Sequence, residues 1–68
     1  MENDYIYIVQ GFKRHFTGDT ETTIVGARKE EREAIMLGDG WAKSENEWFR
    51  EQNLNVHAYY LIRKTYLR

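Results

Sequence analysis

The sequence has no cysteine, one serine and two histidines among its 68 residues. Without cysteine there is no disulfide framework and no thiolate metal site, which fits a reducing compartment, so we expect a cytoplasmic protein. No apolar stretch approaches the ~20 residues that a membrane-spanning helix needs. The acidic, polar residues 1–4 lack the basic and apolar parts of a signal peptide. We therefore expect no role at a membrane.

The scarcity of reactive side chains argues against catalysis. Ser44 opens a capping-box pattern and is explained as a helix N-cap. His15 and His57 lie on predicted strands, where half-exposed strand positions explain them more simply than a catalytic or metal-binding pair. The run Gly38–Gly40 lacks the spacing of a phosphate-binding loop. We predict a protein that is not an enzyme and has no cofactor and no metal.

Charge is nearly balanced overall but unevenly distributed. The net charge of −1 gives no global attraction to nucleic acid or to acidic lipid. Residues 30–51 carry seven acids and three bases, whereas no acid follows Glu51. This distribution predicts a molecule with two unlike sides. The acids of the helical region form a second candidate surface, for which a solvated helix face is the simpler explanation.

Three stretches have the residue types of strands. Residues 55–68 are rich in β-branched and aromatic residues and contain neither Gly nor Pro. Residues 4–16 form a similar run in which Gly11 marks a bulge or a close backbone approach. A polar turn at 17–20 separates this run from a shorter strand at 22–26, which is typical of a β-hairpin.

Two helices are predicted between the second and third strands. Residues 27–37 are good helix formers and end before Gly38, a plausible helix C-terminus. Residues 45–52 form a short second helix that begins after Ser44 and turns Trp48 and Phe49 inward. We therefore predict one α+β domain over residues 1–68, with the order β-β-α-α-β. Its three-stranded antiparallel sheet would carry one main and one short helix on one face, and the last strand would pair with the first.

The first and last strands are apolar on both faces, although the helices can cover only one. If the core is lined by Ile6, Ile8, Phe12, Tyr60 and Ile62, an apolar, tyrosine-rich surface remains uncovered. The opposite assignment of the faces changes the residues but keeps the surplus. Tyr and Arg tend to dominate binding energies at interfaces. The predicted partner-binding residues are Tyr5, Tyr7, Lys13, Tyr59, Leu61 and Arg63.

The same strands leave two other interpretations open. A homodimer that buries the surplus face would use that surface without any other partner. Aromatic and basic residues also alternate on these strands, as on sheets that bind single-stranded nucleic acid. The total charge is negative and no RNP-type motif is present, but the aromatic and basic pattern is carried by Phe12, Arg14, Phe16, Tyr59, Arg63, Lys64 and Tyr66.

The chain resembles small phage and prophage proteins of uncharacterised function. The resemblance lies in the opening run at residues 5–11, the strand-to-helix segment 23–34 and the aromatic strand 59–62. It implies a viral origin and action in the cytoplasm of a bacterial host. Proteins of this kind often bind and block a host enzyme or a defence complex, as anti-CRISPR proteins do. The resemblance transfers no site residues.

Overall fold

The computed structural model describes residues 4–67, which form one antiparallel sheet covered on one side by one helix. The elements are β1 (Tyr5–His15), β2 (Thr20–Arg28), α1 (Glu31–Glu51) and β3 (Val56–Tyr66). The strand order is β2-β1-β3. The predicted α+β class, the three-stranded antiparallel sheet and the pairing of the last strand with the first are confirmed.

The hairpin between β1 and β2 closes through backbone hydrogen bonds around a tight loop. The His15 N–H donates to the Asp19 carbonyl, and the Gly18 N–H donates to the His15 carbonyl, both at 2.8 Å. Gly18 has a φ of +99°, which favours glycine. β2 extends to Arg28, further than predicted, because Ala27 and Arg28 pair with β1 after an irregularity in register opposite Val9 and Gln10.

The prediction of two helices is wrong, because a single 21-residue helix replaces them. The helix begins at Glu31 and so places Glu31 and Glu33 in its first turn, where the helix dipole favours acids. It continues through Gly38 and Ser44 and ends before Asn53, whose φ of +56° is the left-handed conformation common after a helix. Ser44 is therefore a mid-helix residue and caps nothing.

Gly38 serves packing rather than helix termination. It is buried against β3, and a Cβ atom at this position would collide with the Tyr60 ring. The inward prediction for Trp48 is also wrong, because Trp48 is 53% exposed while Phe49 is only 6% exposed. Neighbouring helix residues point in directions about 100° apart, so both rings cannot face the sheet.

The fully buried core is small. Its apolar members are Val9, Ala34, Phe49 and Ala58. The Cα atoms extend over 51 × 20 × 10 Å, so the described chain is long and only two layers deep. One helix therefore covers one face of the sheet, and the structure gives the other face no covering element.

Candidate interaction surface

Two close approaches identify the face of the sheet that lies beneath the helix. A Cβ atom on Gly11 would lie 2.6 Å from the Trp41 ring, and one on Gly26 would lie 2.8 Å from Leu37. Both glycines therefore face α1. Because side chains alternate along a strand, the odd-numbered residues of β1 face the helix and the even-numbered residues face away.

This alternation corrects the set of β1 residues that was assumed to line the core. Ile6, Ile8 and Phe12 lie on the open face rather than in the core, whereas Tyr60 and Ile62 are on the helix side as assumed. The physical reason is that Gly11 lets the Trp41 ring approach the backbone, which fixes the helix over the odd positions.

The six predicted partner-binding residues consequently fall on opposite faces. Tyr5, Tyr7 and Lys13 lie on the helix side, where the Tyr5 and Tyr7 rings meet edge to face at 5.6 Å. The Lys13 ammonium lies 3.4 Å from the Glu45 carboxylate on the helix. Tyr59, Leu61 and Arg63 lie on the opposite side of β3, so only this second group shares the open face.

The open face combines apolar side chains from all three strands. Leu61 is 55% exposed and Ile24 is 62% exposed, while the larger side chains at the centre of β1 are partly covered by their neighbours. We define the open face by Ile6, Ile8, Gln10, Phe12 and Arg14 of β1, Thr20, Thr22, Ile24 and Ala27 of β2, and His57, Tyr59, Leu61, Arg63 and Thr65 of β3. Within residues 4–67 it is the face of the sheet that no helix covers.

An aromatic stack lies near one end of the open face. The Phe12 and Tyr59 rings are paired across β1 and β3, 5.0 Å apart and nearly parallel. The His57 ring continues the stack at 6.2 Å from the Tyr59 ring. The three rings form a contiguous aromatic part of the open face.

The open face contains cationic side chains and no acid. Arg14 lies opposite His57 near the stack, and Arg63 lies opposite Ile8 nearer the other end. The acids that balance them lie mostly on α1, across the sheet. The open face is therefore apolar at its centre and positive towards its ends.

Two tyrosines on the helix side have raised pKa values. The Tyr60 hydroxyl donates a 2.6 Å hydrogen bond to the Asp39 carboxylate, which raises the pKa of Tyr60 by stabilising its protonated form. Desolvation raises the pKa of Tyr7. Both shifts have structural causes on the side where the helix packs.

The two histidines do not form a joint site. His15 faces the helix side, where its Nε2 lies 2.8 Å from a Glu21 carboxylate oxygen, whereas His57 is on the open face. A surface depression of 580 Å³ near His57 is lined by residues 53–57 with Asn46, Phe49 and Arg50, and this lining has no carboxylate. Residues 4–67 contain no cluster of three His, Asp or Glu side chains placed to hold a metal.

The protein-binding hypothesis assigned Ile6, Ile8 and Phe12 to the core and so missed their contribution to this surface, although Phe12 was also part of the nucleic-acid pattern. Gly11 was the signal in the sequence that could have identified the open face of β1. A glycine inside a strand marks the side where another group approaches the backbone, and this places the even positions of β1 on the opposite face.

Comparison of the chain with protein-family models, with curated proteins and with solved structures finds no match. Among the described residues, no helix has the combination of length and apolar character required to cross a membrane.

Proposed function

We propose that the protein acts without catalysis, by binding a protein partner through the open face of its sheet. The observation that carries the proposal is a continuous apolar and aromatic surface without any acid, which no element among residues 4–67 covers. Contiguous exposed apolar patches on small domains commonly mark interaction sites.

The chemistry of the face specifies the kind of partner. Phe12, Tyr59 and Leu61 would bind an apolar patch at the centre of the interface. Arg14 and Arg63 would meet acidic groups at its rim, where charge selects partners and accelerates association. The resemblance to small phage proteins supports a bacterial enzyme or defence complex as the partner class, with inhibition as the consequence of binding.

The test compares Leu61→Ala and Tyr59→Ala with Tyr66→Ala in capture from a bacterial lysate and then with the purified partner. Tyr66 is a matched control because it is as exposed as Leu61 but lies on the helix side of β3. We expect each open-face variant to weaken binding of the partner by at least tenfold. The control variant should change this affinity little. Equal binding by all three variants would reject the open face as the binding site.

Single-stranded nucleic acid is the second candidate ligand, favoured by the stacked Phe12 and Tyr59 rings between two arginines. The test is fluorescence anisotropy with a labelled oligonucleotide at low and at physiological salt. Arg63→Ala should weaken binding and flatten its salt dependence. Lys64→Ala is the control, because it removes the same charge from the other side of β3. An absence of binding at low salt would exclude this ligand.

A further inference from the structure

β3 is an edge strand, and its outer edge faces away from β1. The Phe16 N–H donates to the Asn55 carbonyl and the Leu67 N–H donates to the Asp4 carbonyl, so odd-numbered residues of β3 and its flanks bond to β1. In an antiparallel ladder the intervening residues direct both backbone groups outward. The N–H and C=O groups of Ala58, Tyr60, Ile62 and Lys64 therefore point away from the sheet.

One end of this edge is blocked by the protein itself. The Ala58 N–H donates to Asn46 Oδ1 at 2.8 Å, and Asn46 Nδ2 donates to the Ala58 carbonyl at 3.0 Å. The helix side chain thus occupies both groups that an additional strand would use. Within the described residues, the outward groups of Tyr60, Ile62 and Lys64 have no such partner.

The outer edge of β2 is a poorer template. Its register shifts opposite Val9 and Gln10, which interrupts the even spacing of its outward groups. Irregular edges of this kind discourage pairing with another strand, whereas a regular edge invites it. The regular part of the β3 edge is therefore the stronger docking site.

We propose that β3 pairs antiparallel with β3 of a second copy, centred on Ile62. This register places Lys64 opposite the partner's Tyr60 and Leu61 opposite the partner's Arg63, so no like charges meet. A register centred on Arg63 would place the Arg63 side chains of the two copies directly opposite each other, and like charges in this position are destabilising. A centre at Leu61 would place Lys64 opposite the partner's Ala58, whose groups Asn46 already holds, so only Tyr60 and Ile62 of each copy could pair. The side chains therefore favour one self-complementary register.

Pairing would produce a six-stranded sheet with both helices on one side and the two open faces joined on the other.

The first test measures mass and amide exchange on the whole protein. Sedimentation over a range of concentrations should give twice the monomer mass, and the Tyr60, Ile62 and Lys64 amides should exchange slowly. The Thr22 and Ile24 amides, which point outward from β2, should exchange fast. A monomer at every concentration, or fast exchange at Ile62 in the dimer, would overturn the proposal.

The second test uses two prolines. Lys64→Pro removes one outward donor and leaves the β1 ladder intact, as proline permits at an edge. This substitution should raise the dissociation constant of the dimer at least tenfold. Thr22→Pro removes the equivalent donor from the β2 edge and should leave the dimer unchanged. A dimer that survives Lys64→Pro would contradict edge pairing.

Cysteine cross-linking decides the register without removing any backbone donor, and the native chain has no cysteine to interfere. The Leu61 and Arg63 positions would form a non-hydrogen-bonded pair with Cα atoms about 4.5 Å apart, within disulfide range. A mixture of Leu61→Cys and Arg63→Cys proteins should cross-link mainly as the mixed dimer. Cross-links no more frequent in the mixture than in either protein alone would reject the register. Tyr59→Ala should retain the dimer even if it loses the partner of the open face, which separates the two proposals.

Discussion

The covered and open faces of this sheet are both apolar, but only the covered face lets another element reach the strand backbone. The helix lies over Val9, Gly11 and Ala58, and the absence of a side chain at Gly11 lets the Trp41 ring approach the strand. The open face carries apolar side chains, including Phe12 and Leu61, over which the described residues place no helix or strand. The glycine at the helix contact therefore distinguishes the core face where hydrophobicity does not.

The largest effect is expected from removing the main aromatic side chain of the covered side. Phe49→Ala should lower the free energy of unfolding by about 3–5 kcal/mol, because it removes buried apolar area and leaves a cavity that the sheet cannot fill. A domain of this length has a stability of roughly 3–10 kcal/mol, so the variant should be partly unfolded at room temperature. Urea denaturation followed by circular dichroism measures the change.

Phe16→Ala is the matched control for Phe49, since Phe16 is 78% exposed at the end of the hairpin. Its free energy of unfolding should stay within about 0.5 kcal/mol of the native value. Similar losses in the two variants would mean that the helix does not define the core face.

The fold was largely predictable because three runs of β-branched and aromatic residues mark its strands. The face assignment was not, since both phases of residues 5–9 are apolar and periodicity cannot choose between them. The prediction that the helix ends at Gly38 was wrong because two roles of glycine look the same in sequence. A glycine can end a helix, or it can allow close contact between a helix and a sheet. Gly38 has the second role, because the Tyr60 ring of β3 packs against it.

Only half of the predicted partner-binding residues share one face, and the reason is the same. Tyr59, Leu61 and Arg63 share the open face, but Tyr5 and Tyr7 belong to the other side. A site that spans two strands depends on their relative register. That register is set by Gly11 lying opposite Tyr60, a long-range pairing that no local pattern encodes.

Two glycines on α1 test the close approach of helix and sheet. Gly38→Ala should destabilise the protein by about 1–3 kcal/mol, because the added methyl group displaces the Tyr60 ring. A Cβ atom at Gly40 meets no atom within 4 Å. Gly40→Ala should therefore stabilise the helix by about 0.5–1 kcal/mol. Thermal and urea unfolding give both values, and effects of the same sign would contradict the assigned packing.

The smallest effect is expected on the open face. Ile24→Thr replaces an exposed apolar side chain by a β-branched polar one, so strand propensity is kept and little burial is lost. The free energy of unfolding at low protein concentration should change by less than about 0.5 kcal/mol. Val9→Thr makes a comparable polar replacement at a fully buried position of the covered face and should cost about 1–3 kcal/mol. If Ile24→Thr were as costly as Val9→Thr, Ile24 would have to be buried in the folded protein, and the open face would already be occupied before any partner binds.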